Sequence, residues 1–238
     1  MIEKYPLETL HIKGRLRDNQ CEYYVDDQDN TEICLIKHEG WLAPFSENIN
    51  NMIAWLNKNL EDETIEFCGL PLDFAEAIVA GLKEYEIDWQ ERCVLYYLPK
   101  EKYNHFLNMS LELEEITPGN IDIVDEHYTY KDASSKSYLL DCISKGPSTM
   151  LKNKNGEAVS WALLREDASL GVMYTLEAYR KKGLAAKVSN DLIKKVLIKG
   201  YQPYVHIVVE NTPSRNLAKE LGMNLFGEVV WFGMKKIT

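Results

Sequence analysis

Leu184, Val188, Leu192 and Val196 recur every four residues, which predicts an amphipathic helix from about Lys182 to Lys199, stopped by Gly200. Just before it, "LGVMYTL" is a short apolar run and reads as a strand. "STMLKNKNGEAVSWALLRE" reads as a hairpin turning at Lys154, Asn155 and Gly156. "FLNMSLELEEI" alternates at Leu111 and Leu113, the period of a strand. "NIDIVDEHY" and "DASSKSYLLDCISKG" read as short helices, the second capped by Asp132 and closed by Gly146. Farther on, "YVHIVVE" predicts a buried strand. Thr212 is the expected cap of a short helix with Pro213 in its first turn and Gly222 at its end. "NLFGEVVWFGM" supplies the last strands.

The N-terminal half follows part of the same order less distinctly. "QCEYYV" and "TEICLIK" predict a hairpin around "DDQDN"; "SENINNMIAWLNKNL" predicts a helix and "TIEFC" a strand. "PLDFAEAIVAGLKEY" then predicts a helix and "RCVLYYL" a strand. The sequence strand, strand, helix, strand, helix, strand is thus expected twice. Pro99 and three charges in "PKEKYN" suggest a boundary, giving expected domains 1–103 and 104–238.

Composition narrows the function. Among 238 residues, 45% are hydrophobic, enough for ordinary cores, and no apolar run reaches the length of a membrane span. "MIEKYPLETL" does not read as a secretory signal. Five cysteines form an odd, widely spaced set without a C-x-x-C pair, which argues against a disulfide framework or a zinc site and suits a cytoplasmic location. The net charge is −10, and it is uneven: residues 1–110 hold 10 Lys+Arg against 21 Asp+Glu, the rest 17 against 16. Such an acidic chain is a poor general binder of nucleic acid. No membrane partner is expected either.

Against that background Arg180, Lys181 and Lys182 stand out, because they sit where a helix begins. The positive end of the helix dipole disfavours each cation by roughly 0.3–1 kcal/mol at a surface. An anion among them reverses the sign. Strand, tight turn and helix N-terminus together direct free amides at one spot suited to phosphate, and Gly183 keeps a Cβ out of the way.

Arg180-Lys181-Lys182-Gly183-Leu184-Ala185 resembles the Arg/Gln-x-x-Gly-x-Gly/Ala signature of the GNAT superfamily of acyl-CoA-dependent N-acyltransferases. "YTLEAYRKKGLA" is similar to its glycine N-acyltransferase-like branch, and Asn211-x-x-Ser214 followed by Leu221-Gly222-Met223 resembles a second family segment. The resemblance covers about the last 135 residues. It implies an α/β (α+β) fold with a mixed, mostly antiparallel central sheet flanked by helices, duplicated as a degenerate N-terminal GNAT-like domain and a complete C-terminal GNAT domain. It also implies an N-acyltransferase using acetyl-CoA or another acyl-CoA, with no metal, and a primary amine of a small molecule or amino acid as acceptor. The chain is expected to be a monomer or homodimer.

The same resemblance assigns Met173, Tyr174 and Thr175 to the pantetheine arm, Arg180, Lys181, Lys182, Gly183, Leu184 and Ala185 to the pyrophosphate, and Asn211 and Ser214 to the pantetheine or its thiol end. Two departures matter. Where the family places a tyrosine acid this chain has Ala218, and where the glycine-conjugating enzymes place a glutamate base it has Ser169. His206 and Glu210 are the expected replacements, with Tyr201 and Tyr204 behind them, while Trp161 and Trp231 are expected to fill the core or line the acceptor groove. The N-terminal half, lacking a basic triplet, is expected to bind no cofactor and to act as packing partner or substrate wall. A non-catalytic acyl-CoA-binding module is the alternative.

Overall fold

Glu39 and Gly40 both take positive φ (50° and 85°), so two residues suffice to reverse the chain between strands β2 (Ile33–His38) and β3 (Trp41–Ser46). The computed structural model that contains this turn describes residues 2–18, 21–27 and 31–237. The "DDQDN" turn expected between β1 (Glu22–Val25) and β2 falls partly on residues 28–30, outside the described residues, but the two strands pair antiparallel as expected. β3, which the sequence reading left out, ends on Ser46, the first residue of the predicted helix "SENINNMIAWLNKNL", and helix α2 runs from Ile49 to Asn59. A short helix α1 (Leu10–Arg15) precedes the sheet.

The chain separates into two compact units that are not contiguous in sequence. The first gathers the residues up to Leu95, His206–Glu210, and those from Phe226 onward. Besides α1, α2 and β1–β3 it holds β4 (Thr64–Pro71), α3 (Leu72–Gly81) and most of β5 (Tyr85–Tyr97). Its sheet runs β1-β2-β3-β4-β10-β5-β9, where β9 is Tyr204–Val208 and β10 is Asn224–Lys236. The last strands expected from "NLFGEVVWFGM" are therefore one long strand, broken in register only at Val230/Phe232. β3 and β4 pair in parallel; β1–β2, β2–β3 and β4–β10 pair antiparallel. Met52 and Leu56, one turn apart on α2, are buried with Ile78 of α3 on a layer in which Phe67 stacks on Phe232 at 4.7 Å. Truncating one such residue to alanine costs about 2–5 kcal/mol.

The second unit spans Tyr96–Val205 and Asn211–Leu225. It comprises α4 (Tyr103–Leu107), α5 (Ile121–Glu126), α6 (Ser135–Lys145), β6 (Ser148–Lys152), β7 (Ala158–Leu164), β8 (Leu170–Thr175), α7 (Leu184–Ile198) and α8 (Thr212–Glu220). β6, β7 and β8 form an antiparallel sheet in that order. Val188, Leu192 and Val196 of α7 are buried over Ala162 and Leu164 of β7, as the four-residue spacing predicts. Counted along the chain, three strands, helix, strand, helix, strand occur twice.

Three expectations need correction. Phe106 and Leu107 belong to α4, and the alternating stretch after them is extended chain with a single bridge, Glu114 to Met150. Its backbone groups go to side chains of α7 instead of to a neighbouring strand. Leu113 N–H donates to Asp191, Lys194 Nζ donates to the Met109 and Leu111 carbonyls, and Lys195 Nζ donates to that of Leu113. Asp191, 1% exposed, also accepts from Thr149 Oγ1 at 2.8 Å and pairs with Lys195 at 2.9 Å, so its buried charge is satisfied. The other two corrections are caps. Ser134, not Asp132, is the N-cap residue of α6, while Asp132 accepts the Ser134 N–H just outside the helix. Asn211, not Thr212, caps α8, because its side-chain oxygen reaches the Ser214 N–H at 3.2 Å.

Candidate functional site

β8 forms one edge of its sheet. Its pairing with β7 slips one residue: Trp161 faces Tyr174 and Leu163 faces Gly171, so Val172 and Met173 together oppose Ala162. This is a β-bulge, and Val172 pays for it with φ at 48°, a region a β-branched side chain strongly avoids. Strain of that kind persists where the surroundings impose it, and it re-aims the neighbouring amides. The sequence carries no sign of the bulge, because it depends on register with β7.

The chain leaves β8 through a short turn at Glu177–Tyr179 and reaches α7 with two left-handed residues, Lys181 (φ 59°) and Gly183 (φ 71°). Gly183 is the N-cap residue and has no side chain to cap with, and the first turn of α7 holds no acidic residue. The N–H groups of residues 181–186 have no acceptor among the described residues. A Cβ on Gly183 would meet nothing within 4 Å. Its glycine therefore answers the positive φ, not a neighbouring atom, and the space in front of the amides is open.

The cations differ in how they are held. Arg180 is tied down: Nε donates to the Thr175 carbonyl at 3.1 Å, a terminal nitrogen donates to Tyr174 Oη at 3.1 Å, and Glu177 lies 3.4 Å away. Its guanidinium braces the turn over the Tyr174 ring. Lys182 Nζ donates back to the Ala178 carbonyl at 2.9 Å. Lys181 is exposed and makes no such bond among the described residues.

Side chains on β8 face both ways. Met173, the most exposed of them at 37%, accepts from Ser189 of α7 through its sulfur at 3.4 Å. Tyr174 stacks on His127 with centroids 4.4 Å apart, against the fully buried Trp161. Thr175 Oγ1 lies 2.8 Å from Ser160 Oγ. Leu184 and Ala185 are half-buried at the start of α7. Met173 through Ala185 thus form one continuous strand-turn-helix element. Asn211 and Ser214 lie in the same unit, bonded to each other across the start of α8.

His206 and Glu210 group with the first unit. The His206 ring packs edge-on to Trp231 at 5.7 Å and over Gly69, where a Cβ would come within 2.9 Å of it; Glu210 is exposed. Trp161 is core, Trp231 is half-buried, and the Tyr204 hydroxyl donates to the Asp167 carbonyl. Ser169 and Ala218, which the resemblance aligns with a base and an acid, are 2% and 3% exposed. Among the described residues no group of His, Cys, Asp and Glu is arranged to hold a metal, and no helix is long and apolar enough to cross a membrane.

The arrangement has relatives. A family model described as FR47-like protein matches residues 150–232. Human glycine N-acyltransferase-like protein 2 is 23% identical over 195 residues, covering 74% of this chain; the chain spans 64% of that relative's length. A Drosophila protein of known crystal structure superposes with a TM-score of 0.82 at 14% identity, over 99% of this chain and 93% of its own. A GCN5-related N-acetyltransferase from Kribbella flavida superposes with a TM-score of 0.60 at 11% identity, over 98% and 95%. The mixed fold with its mostly antiparallel sheets flanked by helices is thus the GNAT fold.

Proposed function

We propose that this chain, whose fold is that of the GNAT superfamily, transfers an acyl group from an acyl-CoA, most simply acetyl-CoA, to a primary amine of a small molecule or amino acid. One observation carries the proposal: a bulged edge strand leads through a short turn to a glycine-capped helix whose first amides have no acceptor among the described residues. Amides of residues 181–186 and the Lys181 ammonium suit a pyrophosphate. Arg180 contributes by fixing the turn. Met173, Tyr174 and Thr175 present backbone groups to the pantetheine arm, with amides at the bulge suited to the thioester oxygen as charge develops there. Asn211 and Ser214 border the thiol end, although the Asn211 side-chain oxygen is already engaged as a cap.

Acyl transfer also requires the attacking ammonium to lose a proton. With serine and alanine at the two family positions, His206 or Glu210 is the proposed acceptor of that proton. His206→Asn should flatten the acid limb of the pH–rate profile, and an unchanged profile would remove it from the mechanism. The element order of the N-terminal half is proposed to be a degenerate copy that binds no second cofactor.

Calorimetric titration with CoA and acetyl-CoA tests the main proposal, and no binding at millimolar ligand ends it. A second proposal, a non-catalytic acyl-CoA-binding module, draws on the burial of Ser169 and Ala218. Thioester consumption across a panel of amines separates the two, because a binding module shows none above background.

A further inference from the structure

β5 outruns its neighbour on one side. It lies between β10 and β9 in the sheet order. The Leu98 N–H bonds to the Pro203 carbonyl and the Val209 N–H to the Arg92 carbonyl, so β9 runs antiparallel to β5 and gives out opposite Arg92. Toward its start β5 continues through Glu86–Gln90 with β10 on one side and, among the described residues, no strand on the other. All five of these residues are exposed.

Successive side chains of a strand alternate between its faces. Glu86 and Asp88 therefore share one face, and Ile87 and Trp89, 40% and 36% exposed, share the other. Trp89 leans inward from the edge. Its ring lies across β10, where a Cβ at Gly233 would collide with it, and its Nε1 donates to Glu66 of β4 at 3.2 Å. There it meets the Trp41 ring edge-on at 6.0 Å. The indole is thus held as an apolar wall beside the open backbone, not as a lid over it.

Proteins commonly guard such edges with lysine, proline or a bulge. Here the guard is negative. The run "EYEIDWQE", Glu84 to Glu91, holds four carboxylates and no lysine or arginine. Lys235 of β10 lies 3.1 Å from Asp88 and 3.7 Å from Glu86, so a single ammonium serves both carboxylates. Two copies joined along this edge would set carboxylates against carboxylates, and like charges on facing strands destabilise the pair. A strand with a cation at every second position meets the opposite sign.

We propose that the free edge of β5 at Glu86–Gln90 docks an extended segment of another protein in which lysine or arginine alternates with apolar residues. The segment adds to the sheet as one more strand, and its backbone bonds to the open side of β5. Its cations lie beside Glu86 and Asp88, and its apolar side chains lie beside Ile87 and Trp89. The edge belongs to the first unit, and the proposal stands whether or not the chain transfers acyl groups.

Fluorescence anisotropy of a labelled peptide, acetyl-Lys-Val-Lys-Val-Lys-Val-Lys-amide, tests it. The wild type should bind this peptide, less tightly at high salt, and should bind a peptide of the same composition with its lysines and valines in separate blocks about 10-fold more weakly. Glu86→Lys with Asp88→Lys should weaken binding about 10-fold or more. Glu112→Lys with Glu115→Lys reverses as many exposed charges elsewhere and should leave binding unchanged. Two further peptides, methylated on all valine nitrogens or on all lysine nitrogens, remove the backbone donors of each edge in turn, and at least one should lose binding. These are used with the wild type, so they carry the test even where a charge variant fails to fold. No binding at millimolar peptide, equal losses in the two charge variants, or undiminished binding of both methylated peptides would overturn the proposal.

Discussion

Two helices in this chain follow the third strand of their set, and they treat their first amides in opposite ways. At α2, Asn48 accepts the Asn50 N–H at 3.1 Å, and Ser46 Oγ accepts the Asn48 N–H at 3.0 Å. The preceding Glu47 adds a carboxylate, paired with Lys4. At α7, Gly183 offers no side chain, and a cationic turn precedes it. A helix start that satisfies itself is closed to ligands. One capped by glycine leaves its donors for something from outside, and the surrounding charge decides what that is.

The comparison can be broken most forcefully at Gly183. Gly183→Val places a β-branched residue at positive φ, so CoA affinity should fall about 100-fold or more, and stability by about 1–3 kcal/mol; retained affinity in calorimetry would remove the amides of α7 from the site. Asp191→Ala tests the frame behind that loop. It strands Lys195 and frees the Leu113 segment, and should cost about 3 kcal/mol in denaturant unfolding. Lys181→Gln should weaken CoA about three- to tenfold at low salt and less at high salt, in line with an ammonium that makes no bond among the described residues. The smallest effect belongs to the other helix. Asn48→Ala should cost about 1 kcal/mol of stability and leave CoA binding untouched, and any loss of affinity would undo the contrast drawn here.

Much of this was legible in the sequence wherever a local rule acts alone. Val188, Leu192 and Val196 mark α7, Gly156 marks its hairpin at φ 82°, and Gly183 with its three cations marks the loop. Where several parts of the chain decide together, local rules failed. β3 was hidden because "WLAPFS" contains Pro44 and lies against a helix start, although the Glu39-Gly40 turn between apolar runs is a recognisable hairpin sign. The alternation at Leu111 and Leu113 suggested a strand, and only the lysines of α7, some 80 residues onward, explain why none forms. The bulge at Val172 is likewise a product of register. The glycine-led loop and the strand before it could be read from letters; the bulge inside that strand could not.

The distorted rim of β8 has one more effect. A straight, unpaired flank invites other polypeptides to dock backbone to backbone, the first step of aggregation. A residue forced out of line at Val172, followed by three adjacent cations, denies an incoming strand both the regular spacing and the neutral surface it needs. An edge shaped in this way works against the stacking of identical copies along it.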